Sequence, residues 1–466
     1  MTSPRSRLAG LATGALLALS LFGTANAWAA DVVPGEVVVT PEAGAPAGTA
    51  TAAGTPSVAG SDAITVKTRP GESVGAAVER LRRTPGVKDA VPNYVAKVAA
   101  DPAWLPNDPG RHTKVGAWQK VQWNFVGPWG VRAPEAWANL QAAGKPGGKG
   151  VIVAVLDTGV AYSDRFGYQR SPDFGPGTFV RGYDFVSKTD FPRDRNGHGT
   201  HVASTIAEAT DNGIGLTGLA YGAKILPVRV LDDAGEGDAN TIARGVRYAV
   251  DRGAKIINLS LEFAPDENGV ALKAADIPQL ISALDYAHRK DVLVVAASGN
   301  EGAGSIDYPA KASYVMAVGA TTERGCLSAF SNVGKGLDMV APGGGADSSH
   351  GRSKDNCRPD AKPGRDISQV TLVAQGAKSF GIPGGYEGTS MAAPHVSATA
   401  ALILASGVLG AKPTARDVEV RLKTTARDLG TPGYDRTYGT GLVDAAAATA
   451  PVAVTPSTTD GAVSGD

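Results

Sequence analysis

The chain has 466 residues, with 45 basic and 45 acidic side chains and a formal net charge of zero. That length carries one large core and a smaller unit beside it, while the charge balance excludes a chain built on a basic surface for nucleic acid or acidic membranes. Two cysteines, Cys326 and Cys357, exclude a disulfide-stapled mini-domain and allow one bridge if the compartment is oxidising.

In chain order, Arg5 and Arg7 precede the apolar run at 8–23, and the small-residue stretch "TANAWAA" (24–30) follows. Basic, apolar and small-residue segments in that order predict a secretory signal peptide over 1–27, cut after Ala27, with Ala29 or Ala30 as alternatives. The apolar run is shorter than the ~20 residues of a membrane span. The expectation is a secreted, extracellular protein with no membrane attachment once the signal is removed. Residues 28–105 read as a small α+β unit. "GEVVVT" (35–40), "AITVKT" (63–68) and "VKDAVPNYVAKV" (87–98) have strand character, and a Pro/Ala/Gly/Thr stretch to residue 60 reads as a flexible insertion. Val74, Ala77, Val78 and Leu81 recur at helical spacing over 72–84. The Pro-rich residues 101–115 read as an exposed linker.

From 116 to 448, apolar strands alternate with helical patterns. The strands are "VIVAVL" (151–156), 223–231, 254–261, 292–298 and 314–321, with helices over 239–253 and 277–291. Alternation of this kind predicts an α/β fold, a parallel sheet flanked by helices on both faces. "HVSATAALILASGVLG" (395–410) is too short for a span and carries His395, which predicts a buried core helix. The tail, 449–466, has little core material and reads as disordered.

Polar residues punctuate the large domain at element boundaries. Asp157 ends a buried strand; as a bare Asp-Thr-Gly it could equally cap a turn. His198 in "NGHGTHVAST" (196–205) stands at a helix start, and Ser390 in "GTSMAAPHVSATAALIL" (388–404) precedes a long apolar helix. A serine nucleophile needs a base, and the base needs a carboxylate to fix its tautomer. Ends of parallel strands are where such groups can converge. Asn300 ends the run "VVAASGN" (294–300). Its amide and the Ser390 backbone N–H would be donors for an oxyanion, and a turn asparagine is the plainer alternative. His201 lies three residues after His198, but without an acidic partner or an H-E-x-x-H pattern a metal pair is weakly supported.

The stretches "VAVLDTGV", "NGHGTHVA" and "GTSMAAPH" resemble the three signatures of the subtilisin-like serine proteases, the subtilases. The likeness runs over 116–448, through "INLSL", "VVAASGN", "FSNVG", "MVAPGG" and "YGTGLVDAAAA". It implies a subtilisin-like fold and a serine endopeptidase acting on protein and peptide substrates. Asp157, His198 and Ser390 would be the triad and Asn300 the oxyanion-hole residue. Residues 28–105 resemble the family's inhibitory propeptide, an intramolecular partner in a self-processing zymogen that is expected to be a monomer. Substrate would pair with Ser260-Leu261-Glu262, and Ala297-Ser298-Gly299 would line the pocket for the side chain before the scissile bond. Glu262 stands where glycine is usual; its carboxylate could favour basic substrate residues or point to solvent. No cofactor is implied for catalysis. A structural calcium is implied by "ATDNGIGLTG" (209–218), with Asp173, Asn212 and the carbonyls of Thr210, Ile214 and Leu216 as oxygen ligands; a plain surface turn fits the same residues. Export favours a Cys326–Cys357 bridge, which would pin the segment 350–369.

Three other readings compete. Asp157-Thr158-Gly159 matches the aspartic-protease triplet, but that chemistry needs two facing carboxylates and the triplet occurs once. "GESVG" (71–75) matches the nucleophile elbow of α/β-hydrolases, but Arg69 and Pro70 precede it and Ser73 is more simply a helix cap. A catalytically idle binding protein on the same fold is the third, and the complete Asp, His and Ser set argues against it.

Overall fold

The computed structural model describes residues 32–42, 63–94, 104–111, 114–266, 268–349 and 357–451. The expected signal peptide, the insertion up to residue 60, the end of the third strand and residues 452–466 of the tail lie outside the described residues. The chain divides into two compact units, Met1–Asp101 and Pro102–Asp466.

In the first unit, β1 (Val32–Pro41) is the middle strand of an antiparallel sheet, between β2 (Ile64–Lys67) and β3 (Val87–Tyr94). The helix α1 (Val74–Arg82) turns Ala77, Val78 and Leu81 onto Val37, Val39, Val66, Val87 and Ala90. Its start is set by Ser73, whose hydroxyl accepts the Ala76 N–H at 3.2 Å. Thr68, Arg69, Pro70, Gly71 and Glu72 separate that serine from β2. Ser73 is therefore a helix cap with no strand running straight into it, unlike a nucleophile elbow.

In the second unit, α2 (Ala133–Ala142) leads to β4 (Ile152–Asp157), the two-residue β5 (Tyr183–Asp184), α3 (His198–Ala207) and β6 (Lys224–Arg229). Then come α4 (Ala239–Asp251), β7 (Ile256–Leu259), α5 (Pro278–Arg289), β8 (Leu293–Ala297), β9 (Val315–Thr321) and β10 (Met339–Pro342). A small antiparallel pair, β11 (Thr371–Leu372) and β12 (Phe380–Gly381), precedes α6 (Thr389–Ser406), α7 (Ala415–Thr425) and α8 (Ala445–Thr449). Seven strands form one parallel sheet in the order β10-β9-β8-β7-β4-β6-β5. The five strands read from the sequence are its centre. The outer two escape a periodicity reading because β5 is two residues long and β10 four, closing on Pro342.

Alternation along the strands builds three layers. On β4, Val153 and Val155 join the core under α2, α3 and α6, while Ala154 and Leu156 join the core under α4 and α5. The α4 helix begins where the Asp238 carboxylate accepts the N–H groups of Asn240 and Thr241, and it buries Ile242, Val246 and Ala249 on one face. The α6 helix is buried on nearly every side through Ile403 and ends at Gly407, which has φ 77°. Among the described residues no helix is long and apolar enough to cross a membrane. The expected core helix over 395–410 is the body of α6 as far as Ser406, where the helix ends four residues earlier than expected.

Cys326 and Cys357 are joined in a disulfide with Cα atoms 5.7 Å apart and 31 residues between them in sequence. Closing a loop of that length removes unfolded-state entropy worth roughly 3–4 kcal/mol. The double substitution Cys326→Ser, Cys357→Ser is expected to lower unfolding free energy by about that amount in guanidinium titrations, with a larger m-value because the unbridged unfolded chain exposes more surface. A loss under about 1 kcal/mol would show that the bridge leaves the unfolded chain essentially unrestrained.

Candidate active site

Parallel strands present all their carboxyl ends on one edge of the sheet. Because β8, β7 and β4 are neighbours, Asn300, Ser260-Leu261-Glu262 and Asp157 emerge side by side there. Asp157 is fully buried. Its Oδ1 accepts the Thr158 N–H at 2.7 Å and meets His198 Nδ1 at 2.8 Å. His198 is the first residue of α3, and its side chain is 26 % exposed. Burial opposes protonation of this imidazole, but the Asp157 carboxylate outweighs it, and the pKa lies above the ordinary histidine value.

Two features bring α3 this close. A Cβ on Gly199 would stand 2.1 Å from the Gly159 carbonyl oxygen and 3.0 Å from Asp157 Oδ1, so only glycine admits the approach. The second is Asp194, which the sequence reading did not single out. It is buried, and its carboxylate accepts Thr158 Oγ1, the backbone N–H groups of Asn196, Gly197 and Thr200, and Thr200 Oγ1. Thr158 Oγ1 in turn accepts the Gly199 N–H at 3.0 Å. One carboxylate thus ties the strand end to the helix start. Its signal was local: an aspartate two and three residues before Asn-Gly is a turn and cap pattern.

Ser390 stands in the first turn of α6, and α6 packs against α3. Its hydroxyl donates to the Ser260 carbonyl at 3.2 Å rather than to the imidazole, and Ser260 Oγ donates to the Ser390 carbonyl at 2.7 Å. His198 and Ser390 line one cleft of about 650 Å³, together with Ser260, Leu261 and Glu262. Asn300 is anchored from behind: its Oδ1 accepts Thr389 N–H at 2.8 Å and Thr389 Oγ1 at 3.1 Å, which leaves its NH2 group free to reach Glu262 on the cleft wall. That NH2 donates to both carboxylate oxygens of Glu262, each at 3.1 Å. The Glu262 side chain does not point freely to solvent; its carboxylate turns inward onto Asn300. Burial and the nearby Glu301 charge push its pKa up to about 6, against the lowering effect of the Asn300 bond.

Ala297, Ser298 and Gly299 are buried behind this contact and are not on the cleft wall. Ser298 Oγ donates to the Asn332 carbonyl at 3.0 Å. Asn332 Nδ2 donates to Glu301 at 2.6 Å and to Asp307 at 2.7 Å, and burial together with Glu301 raises Asp307 to about 7. His201 is structural. Its Nε2 meets the Ile367 carbonyl at 2.9 Å, its ring stacks on Tyr386 at 4.2 Å, and burial lowers its pKa to about 3.

The structure brings Asp173 and Asn212 together, but the amide turns its NH2 toward Asp173 Oδ1 at 2.8 Å, while Leu216 N–H occupies Oδ2 at 2.9 Å. Among the described residues no three His, Cys, Asp or Glu side chains form a group able to hold a metal ion. The donor chemistry nevertheless suits a hard cation. Glu208 Oε2 is buried without a hydrogen-bond partner, and burial beside the Asp108 carboxylate lifts Asp173 to about 7.

The model of the subtilase family matches residues 148–441. Subtilisin Savinase of Lederbergia lenta is 38% identical over 327 residues, 69% of this chain and 98% of that protein. The alkaline elastase YaB of Bacillus sp. (strain YaB) is 37% identical over 324 residues, covering 69% of this chain and 70% of its own. Among solved structures, a protease from Pseudoalteromonas arctica PAMC 21717 superposes with a TM-score of 0.58 at 29% identity, covering 74% of this chain and 99% of that one.

Removing Asp194 strands five donors in a buried setting. Asp194→Ala is expected to lower stability by at least about 3 kcal/mol in denaturant titrations, with Asp194→Asn losing less. A loss of under 1 kcal/mol for the alanine variant would refute its role as the tie between β4 and α3.

Proposed function

Because the chain belongs to the subtilase family and is a serine peptidase of that family, we propose that it hydrolyses internal peptide bonds through Ser390, His198 and Asp157. The observation that carries this assignment is the 2.8 Å contact of His198 Nδ1 with buried Asp157, at the wall of the cleft that also holds Ser390. Asp157 accepts a hydrogen bond from Nδ1–H and so leaves Nε2 as the basic nitrogen. His198 takes the Ser390 proton as Oγ attacks the scissile carbonyl. It then gives that proton to the leaving amine, and water repeats the cycle on the acyl-enzyme. The Asn300 amide and the Ser390 N–H, at the start of α6, stabilise the oxyanion. Extended substrate pairs with Ser260-Leu261-Glu262 by β-augmentation, and Ala297-Ser298-Gly299 backs the pocket beside it.

The same reading covers the rest of the chain. The protein is exported by its first 27 residues and acts outside the cell as a monomer. Asp173, Asn212 and the carbonyls of Thr210, Ile214 and Leu216 would hold a calcium ion once the Asn212 amide turns its oxygen inward. That ion would brace the loop and take no part in catalysis. Residues 28–105 serve as an inhibitory propeptide, with self-cleavage between about residues 98 and 116; within that stretch the expected exposure does not extend to Pro106 and Asp108, which are buried, the Asp108 carboxylate accepting the N–H groups of Asp211 and Asn212.

Ser390→Ala is expected to lower kcat by several powers of ten. Asn300→Ala is expected to lower kcat about 10²–10³-fold with KM little changed; that magnitude is the one established for the oxyanion asparagine of subtilisin. Activity of Ser390→Ala within tenfold of the parent would refute the nucleophile.

Self-processing has its own test. The parent should appear in its shortened form, while Ser390→Ala made in a protease-deficient host should keep residues 28–105. Added 28–105 fragment should inhibit the processed enzyme. Normal trimming of the Ser390→Ala chain together with an inert fragment would overturn the zymogen reading.

A further inference from the structure

The contact between Glu262 and Asn300 sets an anion on the very amide that the proposed mechanism needs for a second anion. Both carboxylate oxygens accept from Asn300 Nδ2 at 3.1 Å, and Glu262 lies on the cleft wall with His198 and Ser390. A carboxylate so placed disfavours an oxyanion developing beside it, because like charges at close range in a partly buried site repel strongly. Among the described residues the cleft wall carries one further carboxylate, Glu236, and neither lysine nor arginine. No lysine or arginine among the described residues forms a salt bridge to Glu262, and the groups behind it, Glu301 and Asp307, are also carboxyls.

We propose that Glu262 selects substrates with arginine or lysine at the residue whose carbonyl is attacked, and that this cation draws the carboxylate off Asn300. The inference rests on the proteolytic reading above. The side chain concerned follows from position. The oxyanion forms on that residue's carbonyl, within reach of the Asn300 amide, so its own side chain is the one that starts beside Glu262. A cationic head pairs with the carboxylate, and the freed amide turns to the oxyanion. A neutral side chain leaves Glu262 where it is and meets an oxyanion hole with its side-chain donor already engaged. Specificity and transition-state stabilisation are thereby linked through one rotatable side chain, and the gain for a cationic substrate belongs in kcat as well as in KM.

The test uses the processed enzyme and peptides identical except for Arg, Lys, Leu or Phe before the scissile bond. Arg and Lys peptides are expected to exceed Leu and Phe peptides by about ten- to a hundredfold in kcat/KM, with part of the gain in kcat. Glu262→Gln should bring the four within about threefold of one another, and Glu262→Gly should raise kcat for the Leu peptide above that of the parent. Glu262→Asp should keep the direction of preference with a smaller ratio. A parent enzyme that cleaves Leu or Phe peptides as well as Arg, or an Arg-to-Leu ratio unchanged in Glu262→Gln, would overturn the inference and leave the proteolytic reading standing. A gain for Arg confined to KM would overturn the release of Asn300. A parent that cleaves none of the peptides would overturn both readings together.

Discussion

The hydrogen bond from His198 to Asp157 is the constraint on which the site depends, and it is demanding to build. It requires a carboxylate with no solvent exposure at the end of a central strand, and an imidazole from a helix that starts some forty residues later in the chain. Parallel β4, held between β7 and β6, fixes where Asp157 emerges. The missing side chain of Gly199 allows α3 to come down onto it. Asp194 then fastens Thr158 to the first turn of α3 through five accepted hydrogen bonds. The alignment is therefore set by backbone and buried carboxylate contacts, which leaves little conformational entropy to lose when substrate arrives.

Around this contact the site separates its titrating groups by environment. Asp157 raises the pKa of His198, while burial without a carboxylate partner lowers His201 to about 3 and His395 to about 4. Of these three imidazoles, His198 alone has a pKa moved upward, and it alone touches the cleft. On the far side of Ser390 the arrangement is reversed: Glu262, Glu301 and Asp307 crowd carboxyls around Asn300 and Asn332, and burial raises Glu262 and Asp307. The cleft thus runs from a basic imidazole to an acidic wall.

Much of this was legible in the sequence because it rests on short-range pattern. The apolar runs ending in Asp157 and Asn300, and the helix starting at Ser390, mark strand ends and helix starts directly, and a parallel sheet gathers such points on one edge. The edge strand β5 was not legible because two residues carry no period. Asp194 was not singled out because its local turn and cap pattern is common in loops, and only the fold adds Thr158 to its partners. The direction of Glu262 was open for a similar reason. Whether a carboxylate after β7 faces water or turns to Asn300 depends on the register of β7 against β8, which no local pattern encodes. The Asp173–Asn212 pair came from the family resemblance of the 209–218 loop, but the sequence could not say which end of the Asn212 amide faces the carboxylate.

The tautomer and hydrogen bonding of His198 test the account most directly. In protein labelled with 15N at histidine, the account predicts for neutral His198 a protonated Nδ1 with a strongly downfield proton, and an unprotonated Nε2. Asp157→Asn should abolish the downfield resonance and shift the ring toward the Nε2–H tautomer. A neutral His198 carrying its proton on Nε2 in the parent protein, or an Nδ1 resonance indifferent to Asp157→Asn, would contradict the claim that Asp157 orients the base.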